Sequence, residues 1–135
     1  MNPPSDFAQF LKHRKEVAAA YSSGNGTPLD EIVVRSGPAS FFPPSGGHVQ
    51  GAAEVGIRYE VDSRAFAPGA HNHVEILDSG ASGDLAYWTG VQTFEGTVGD
   101  KPTKMSIRIT ELFRREEGQW RLFHRHADPS GDPPG

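Results

Sequence analysis

The sequence predicts a single α+β domain in which three N-terminal helices pack on one face of a mainly antiparallel sheet. Apolar residues in the first half of the chain recur at helical spacing, whereas from His71 onward they alternate with a period of two. Helices followed by an uninterrupted run of strands favour this class over alternating β-α-β units. The 135 residues supply one core, so we expect one domain over residues 1–128 and a disordered Pro- and Gly-rich tail over residues 129–135.

Composition narrows the class of protein. Hydrophobic residues make up 36% and charged residues 22% of the chain, which is typical of a globular domain. The net charge of −4 argues against nucleic acid or an anionic membrane surface as a partner. The chain has no cysteine, which excludes disulfides and thiolate metal sites, and no apolar run near the roughly 20 residues of a membrane span. We therefore expect a soluble, cytoplasmic protein.

Two helices are predicted at the start of the chain. The first begins near Ser5, which can act as its N-cap, and ends at Gly24. The second begins with Thr27 as N-cap and Pro28 at its first position. The buried sides are Phe7, Phe10, Leu11, Val17, Ala18 and Tyr21 in the first helix, and Leu29, Ile32 and Val33 in the second.

A short hairpin and a third helix connect these helices to the sheet. Pro and Gly residues over positions 43–47 predict an irregular hairpin. The third helix is predicted from Ala52 to about Ala65, and Pro68 and Gly69 close it.

Four strands follow the third helix. The period of two predicts strands over residues 71–77, 84–98, 103–115 and 119–126, separated by the turn-forming sequences SGASG, VGDKP and EEG. Glu117 and Gly118 suit a two-residue type I′ turn in the last hairpin.

This turn predicts which residues of the last hairpin face each other. Phe113 should pair with Leu122, and Glu111 should pair with His124. A carboxylate beside a partly desolvated imidazole raises the basicity of that imidazole, as a general base requires. Glu111 and His124 are therefore either a proton-transfer pair or a buried polar pair that fixes the strand register. The predicted inward face comprises Ile107, Ile109, Glu111, Phe113, Leu122, His124 and His126, and the outward face Arg108, Thr110, Leu112, Arg114, Arg121, Phe123 and Arg125.

Two segments resemble the nuclear transport factor 2-like superfamily. IRITELFRREEGQWRLFHRHAD carries Gly118, Trp120, His124 and His126 in the pattern of the association domain, or hub, of calcium/calmodulin-dependent protein kinase II. FFPPSGGHVQGAAEVGIRYE is similar to the hairpin-to-helix passage of SnoaL-like proteins. The resemblance covers residues 6–128. It implies a cone with a curved sheet around the helices, the hairpin beside the last strand, a hydrophobic pocket between the concave face and the first and third helices, and a homodimer through the convex face.

The chain departs from the chemistry of both relatives. Steroid isomerases of the superfamily carry a catalytic aspartate in the hairpin before the third helix, where this chain has Pro43. The hub carries pocket arginines at strand positions that correspond to Thr89 and Glu111, so its anion-binding pocket is expected to be lost here. Any activity must therefore use other residues.

The resemblance places further candidate residues around the pocket. Because the third helix lies along the pocket in this family, Tyr59 is the candidate donor to a substrate oxygen. His71 and His73 could join His124 and His126 as metal ligands, but two intervening strands separate the pairs, so we predict neither a metal nor a cofactor. The residues expected to line the pocket are Tyr21, Phe42, Trp88 and His126.

Two functions stay open from the sequence. The first is a cofactor-independent acid/base enzyme, an isomerase, dehydratase or cyclase, that acts on a small hydrophobic molecule through Glu111, His124 and Tyr59. The second is a non-catalytic module that binds a small ligand or mediates oligomerisation.

Overall fold

Three helices precede the sheet in the computed structural model, which describes residues 3–131 and the side chains of residues 6–131. They are α1 (Pro3–Tyr21), α2 (Thr27–Ile32) and α3 (Ala52–Ser63). The predicted order is confirmed, with shifts at the ends. Helix α1 begins before Ser5, whose side chain lies outside the described residues, and Gly26 rather than Thr27 is the N-cap of α2.

Six strands form one curved sheet, which confirms the predicted α+β cone. The sheet order is β2-β1-β6-β5-β4-β3, and only β1 and β6 pair in parallel. The hairpin therefore lies beside the last strand, as expected. The strands are β1 (Ser40–Phe42), β2 (Val49–Gln50), β3 (His71–Ser82), β4 (Leu85–Val98), β5 (Lys101–Glu116) and β6 (Gln119–Pro129).

An aromatic cluster joins α1 to the last hairpin. The ring centroid of Phe7 lies 5.5 Å from that of Phe113 and 5.3 Å from that of Trp120. The guanidinium of Arg115 lies over the Trp120 ring, 4.3 Å from its centroid. These contacts bury Phe7, Phe113 and Trp120 almost completely and fix the first turns of α1 against the concave face of the sheet.

The last hairpin starts as predicted and then changes register. Glu117 (φ 51°) and Gly118 (φ 77°) both have positive φ, as a type I′ turn requires, and Phe113 pairs with Leu122. The next pair is Leu112 with His124, because Phe123 is an extra residue in β6. This β-bulge moves every later residue of β6 by one position relative to β5.

The bulge reverses the predicted faces of the second half of β6. Glu111 pairs with Arg125, and Thr110 pairs with His126. The predicted pairing of Glu111 with His124 is therefore wrong. His124 and His126 point away from the helices, and Arg125, predicted to be outward, points inward.

The end of the chain is held further than predicted. Strand β6 runs to Pro129, and the backbone N–H of Ser130 donates to the carbonyl oxygen of Ser106 at 3.0 Å. Residues 132–135 of the predicted disordered tail lie outside the described residues. Disorder there stays a prediction.

Substitution of the buried Trp120 should test the hairpin packing. We expect Trp120→Ala to lower the free energy of unfolding by about 3–5 kcal/mol, because the ring is buried and contacts Phe7 and Arg115. Urea denaturation followed by circular dichroism measures the loss, with Leu85→Ala, an exposed strand position, as the control. A loss below about 1 kcal/mol would contradict the packing described above.

Candidate ligand-binding site

A carboxylate with no solvent exposure lies on the concave face of the sheet. Glu111 of β5 accepts hydrogen bonds from Nε and Nη2 of Arg14 in α1, at 2.9 and 2.7 Å. It also accepts from Nε1 of Trp88 in β4 at 2.7 Å and from Nη1 of Arg125 in β6 at 2.6 Å. One carboxylate therefore holds a helix and three adjacent strands together.

The arginines keep Glu111 ionised. Burial alone would raise the pKa of this carboxyl group. The charges of Arg14 and Arg125, together with their hydrogen bonds, outweigh burial and lower the pKa to about 2. Such a carboxylate is a weak base, and N–H donors occupy both of its oxygens.

A chain of polar side chains continues from Arg125 across the concave face. Nη2 of Arg125 lies 3.4 Å from Oε1 of Gln92, and Nε2 of Gln92 donates to Oδ1 of Asn72 at 2.5 Å. The hydroxyl of Ser22, the residue that follows α1, donates to the same oxygen at 3.1 Å. The inner wall therefore has fixed polar groups from β6 to β3.

A cavity of about 270 Å³ lies beside this network, between α1, α3 and the concave face. Arg14, Arg125 and Gln92 supply polar atoms to its wall, and Tyr21 and Tyr59 supply rings with hydroxyl groups. The half-buried residues Pro44 and Asp62 also line it. The apolar wall includes Ala18, Leu29, Phe41, Phe66, Phe94, Met105 and Ile107.

Arg14 has hydrogen-bonding capacity that the described residues do not use. Its side chain lines the cavity and the residue is 6% exposed. Nε and Nη2 face Glu111, whereas Nη1 is buried without a hydrogen-bond partner among residues 6–131. An unsatisfied buried donor is costly, so this nitrogen marks a position where an acceptor would stabilise the protein.

The structure brings together only part of the predicted site. Tyr59 and Tyr21 line the cavity, and the Tyr21 hydroxyl donates to the backbone oxygen of Tyr59 at 2.9 Å. Trp88 is fully buried and bonds Glu111 instead of lining the cavity. Phe42 and His126 do not line this cavity, because the bulge and the parallel pairing of β1 with β6 place both on the opposite face. A ligand-binding role for either residue stays a prediction.

His124 has a different environment from the one predicted. Its Nδ1 lies 2.7 Å from Oγ of Ser40, and its ring centroid lies 5.0 Å from that of Phe42. Burial and the charge of His126 lower the pKa of His124, against the opposing hydrogen bond with the Ser40 backbone and the charge of Glu111. The predicted gain in basicity is therefore wrong.

Sequence reasoning missed Arg14 and Arg125. Arg14 lies three residues after Leu11 and three before Val17, so it falls on the apolar stripe of the first helix. A charged residue on a buried stripe signals a buried partner, and this signal was present in the sequence. Arg125 gave no such signal, because regular alternation in β6 places it outward.

Two other kinds of site are absent from residues 3–131. No group of three or more His, Asp or Glu side chains there could hold a metal ion. None of the helices in this range is both long and apolar enough to cross a membrane.

This cone, with a cavity enclosed by the concave face and the helices, defines the nuclear transport factor 2-like class of α+β proteins. Residues 14–129 match the SnoaL-like domain family, and the chain belongs to that family. A comparison with curated proteins finds no significant match.

Solved structures with low sequence identity share the fold. A Streptomyces avermitilis protein of the nuclear transport factor 2-like family, provisionally named a dehydratase, has a TM-score of 0.78 at 18% identity, over 95% of this chain and 98% of the other. A Parabacteroides distasonis protein, provisionally named a ketosteroid isomerase, has a TM-score of 0.65 at 19% identity, over 89% and 84%. The hub of calcium/calmodulin-dependent protein kinase II from S. rosetta has a TM-score of 0.68 at 16% identity, over 96% and 98%.

Acid should remove the contribution of Glu111 to stability. Its pKa falls from an ordinary value of 4.5 to about 2 on folding, so its stabilisation is complete above pH 4.5 and is lost as the pH falls towards 2. At neutral pH we expect Glu111→Gln to be about 3–5 kcal/mol less stable than wild type, because two buried guanidinium groups lose their counter-charge. Urea denaturation over a pH series should show this difference shrinking in acid. Glu75→Gln, at an exposed position of β3, is the control, and a difference that is constant with pH would contradict the assignment.

The imidazole of His124 should titrate below the ordinary histidine pKa of 6.5, because it is partly buried and lies near His126. His126→Gln should bring this pKa back towards the ordinary value, since the charge of His126 contributes to the shift. A two-dimensional NMR titration of the ring signals measures both effects, with His73→Gln, at an exposed position of the far edge strand, as the control. A His124 pKa above 6.5 would contradict the environment described above.

Proposed function

We propose that this SnoaL-like protein binds a small molecule in the cavity without transforming it. The observation that carries the proposal is the buried Nη1 of Arg14, a donor without a partner among the described residues, on a side chain that lines a mainly apolar cavity. Such a cavity suits a molecule with an apolar body and one polar group that accepts a hydrogen bond. Its volume of about 270 Å³ restricts the ligand to small molecules.

Tyr59 supports the same ligand chemistry. Burial raises the pKa of its hydroxyl, so the group stays protonated at neutral pH and can donate a hydrogen bond. The Tyr59 ring packs against Phe41 at 4.8 Å between centroids, which fixes its orientation in the wall. We therefore assign Tyr59 as a hydrogen-bond donor to the ligand. Tyr21 lines the wall but cannot donate to the ligand in the same way, because its hydroxyl donates to the backbone oxygen of Tyr59.

The predicted acid/base mechanism has little support in this geometry. It required Glu111 beside His124, but these side chains point to opposite faces of the sheet. Glu111 is held ionised by two arginines. The names of the Streptomyces and Parabacteroides proteins suggest dehydration and isomerisation, yet the similarity is at the level of fold, which carries many functions.

The assembly and location stay predictions. The convex face is not covered by the helices and carries half-exposed apolar groups such as Phe42 and Leu112, so it is the surface on which a homodimer would form. Cytoplasmic location and the absence of a cofactor are expectations from the sequence alone.

Filling the cavity should abolish binding. Ala18 lines the cavity, whereas Ala19 is exposed on the same helix, so Ala18→Leu and Ala19→Leu are a matched pair. We expect phenylacetate or phenylacetamide, used as probes, to bind wild type and Ala19→Leu equally and Ala18→Leu at least about tenfold more weakly. Ligand-observed NMR at millimolar probe concentration detects weak binding. Failure of both probes to bind wild type, or equal binding to all three proteins, would overturn the proposed function.

A further inference from the structure

The buried end of the cavity carries an incomplete set of charges. Arg14 and Arg125 both donate to Oε2 of Glu111, at 2.7 and 2.6 Å, so the two guanidinium groups lie side by side. The two positive charges and one negative charge sum to one net positive charge. Asp62 also lines the cavity, but both of its oxygens accept from Nε of Arg58, at 3.0 and 2.9 Å, so this pair adds no net charge.

This residual charge has little access to water. The side chains of Arg14 and Arg125 are 7% and 14% exposed, and that of Glu111 is 0% exposed. A buried charge without a counter-ion is unfavourable, and two adjacent guanidinium groups add repulsion. A single negative charge on a ligand would balance the set, a neutral ligand would leave it unbalanced, and a doubly charged ligand would reverse its sign.

The hydrogen-bonding capacity agrees with the charge count. Nη1 of Arg14 has no partner among the described residues, and Nη2 of Arg125 has only the 3.4 Å contact to Gln92. A carboxylate has two oxygens with which to accept from two such donors. The aromatic and aliphatic wall suits an apolar body attached to that carboxylate.

We propose that the cavity selects small apolar monocarboxylates over neutral and dianionic analogues, and that Glu111 determines this selectivity. The inference rests on the proposed function, since it names the ligand class of the same cavity. Glu111 does not line the cavity, so it acts as a positioning residue: it orients Arg14 and Arg125 and cancels one of their two charges. Arg14 and Arg125 lie in α1 and β6. The pocket arginines of the hub instead occupy strand positions that correspond to Thr89 and Glu111 of this chain.

The proposed preference for a ligand with one negative charge, called here the charge rule, can be tested on the wild-type protein with a matched set of probes. Phenylacetamide, phenylacetate and phenylmalonate share one ring and carry no, one and two negative charges near neutral pH. We expect phenylacetate to bind at least about tenfold more tightly than either analogue by isothermal titration calorimetry. Equal or tighter binding of phenylacetamide, or tighter binding of phenylmalonate, would overturn the charge rule and leave the proposed function intact. Absence of binding by all three probes would overturn both.

Two variants, with a third in reserve, test the role assigned to Glu111. Glu111→Gln raises the net charge by one, so the affinity ratio of phenylmalonate to phenylacetate should rise by about tenfold or more. The double variant Glu111→Gln/Arg125→Gln leaves only Arg14 charged and should return the preference to phenylacetate. A purely structural role for Glu111 would weaken all probes equally in both variants. If Glu111→Gln does not fold, Arg125→Gln gives the second test: its charge sum is zero, so the preference for phenylacetate over phenylacetamide should disappear, and persistence of that preference would overturn the proposal.

Discussion

The ionised carboxylate of Glu111 is the interaction on which the concave face depends. It is the common acceptor for a helix side chain, a tryptophan on one neighbouring strand and an arginine on the other. A buried ion pair contributes little net stability, but breaking one is expensive because the remaining charges stay buried. The cluster therefore specifies where α1 lies on the sheet more than it adds to overall stability. The position of α1 in turn sets one wall of the cavity.

A single extra residue decides which side chains join that cluster. Phe123 and His124 both point away from the helices, so the alternation of β6 is interrupted once and then continues. Arg125 gains a place opposite Glu111, and the imidazoles move to the convex face, where Ser40 and Phe42 contact His124. The position of Ser40 beside His124 also depends on the parallel pairing of β1 with β6.

The sequence predicted the class of fold because helical and strand periods are local properties of the chain. It also predicted the turn at Glu117 and Gly118, since positive φ at both positions favours a specific residue pair. The site was only partly predictable. Arg14 could have been found, because it lies on an apolar stripe of the first helix. The inward direction of Arg125 could not, because it follows from a bulge that no turn-forming residue marks in the sequence. Tyr59 and Tyr21 were placed correctly beside the cavity only through the resemblance, which supplied the position of the third helix.

The bulge at Phe123 makes the chemistry of this cavity sensitive to strand register as well as to sequence identity. If the same residues paired without the bulge, β6 would turn over beyond Leu122 and exchange a guanidinium wall for an imidazole wall, with no side chain changed. In such a fold, the gain or loss of a bulge at constant sequence is equivalent to several simultaneous substitutions. Aligned residue letters alone therefore do not reveal what two related cones hold inside. Whether a bulge interrupts the last strand must be compared as well.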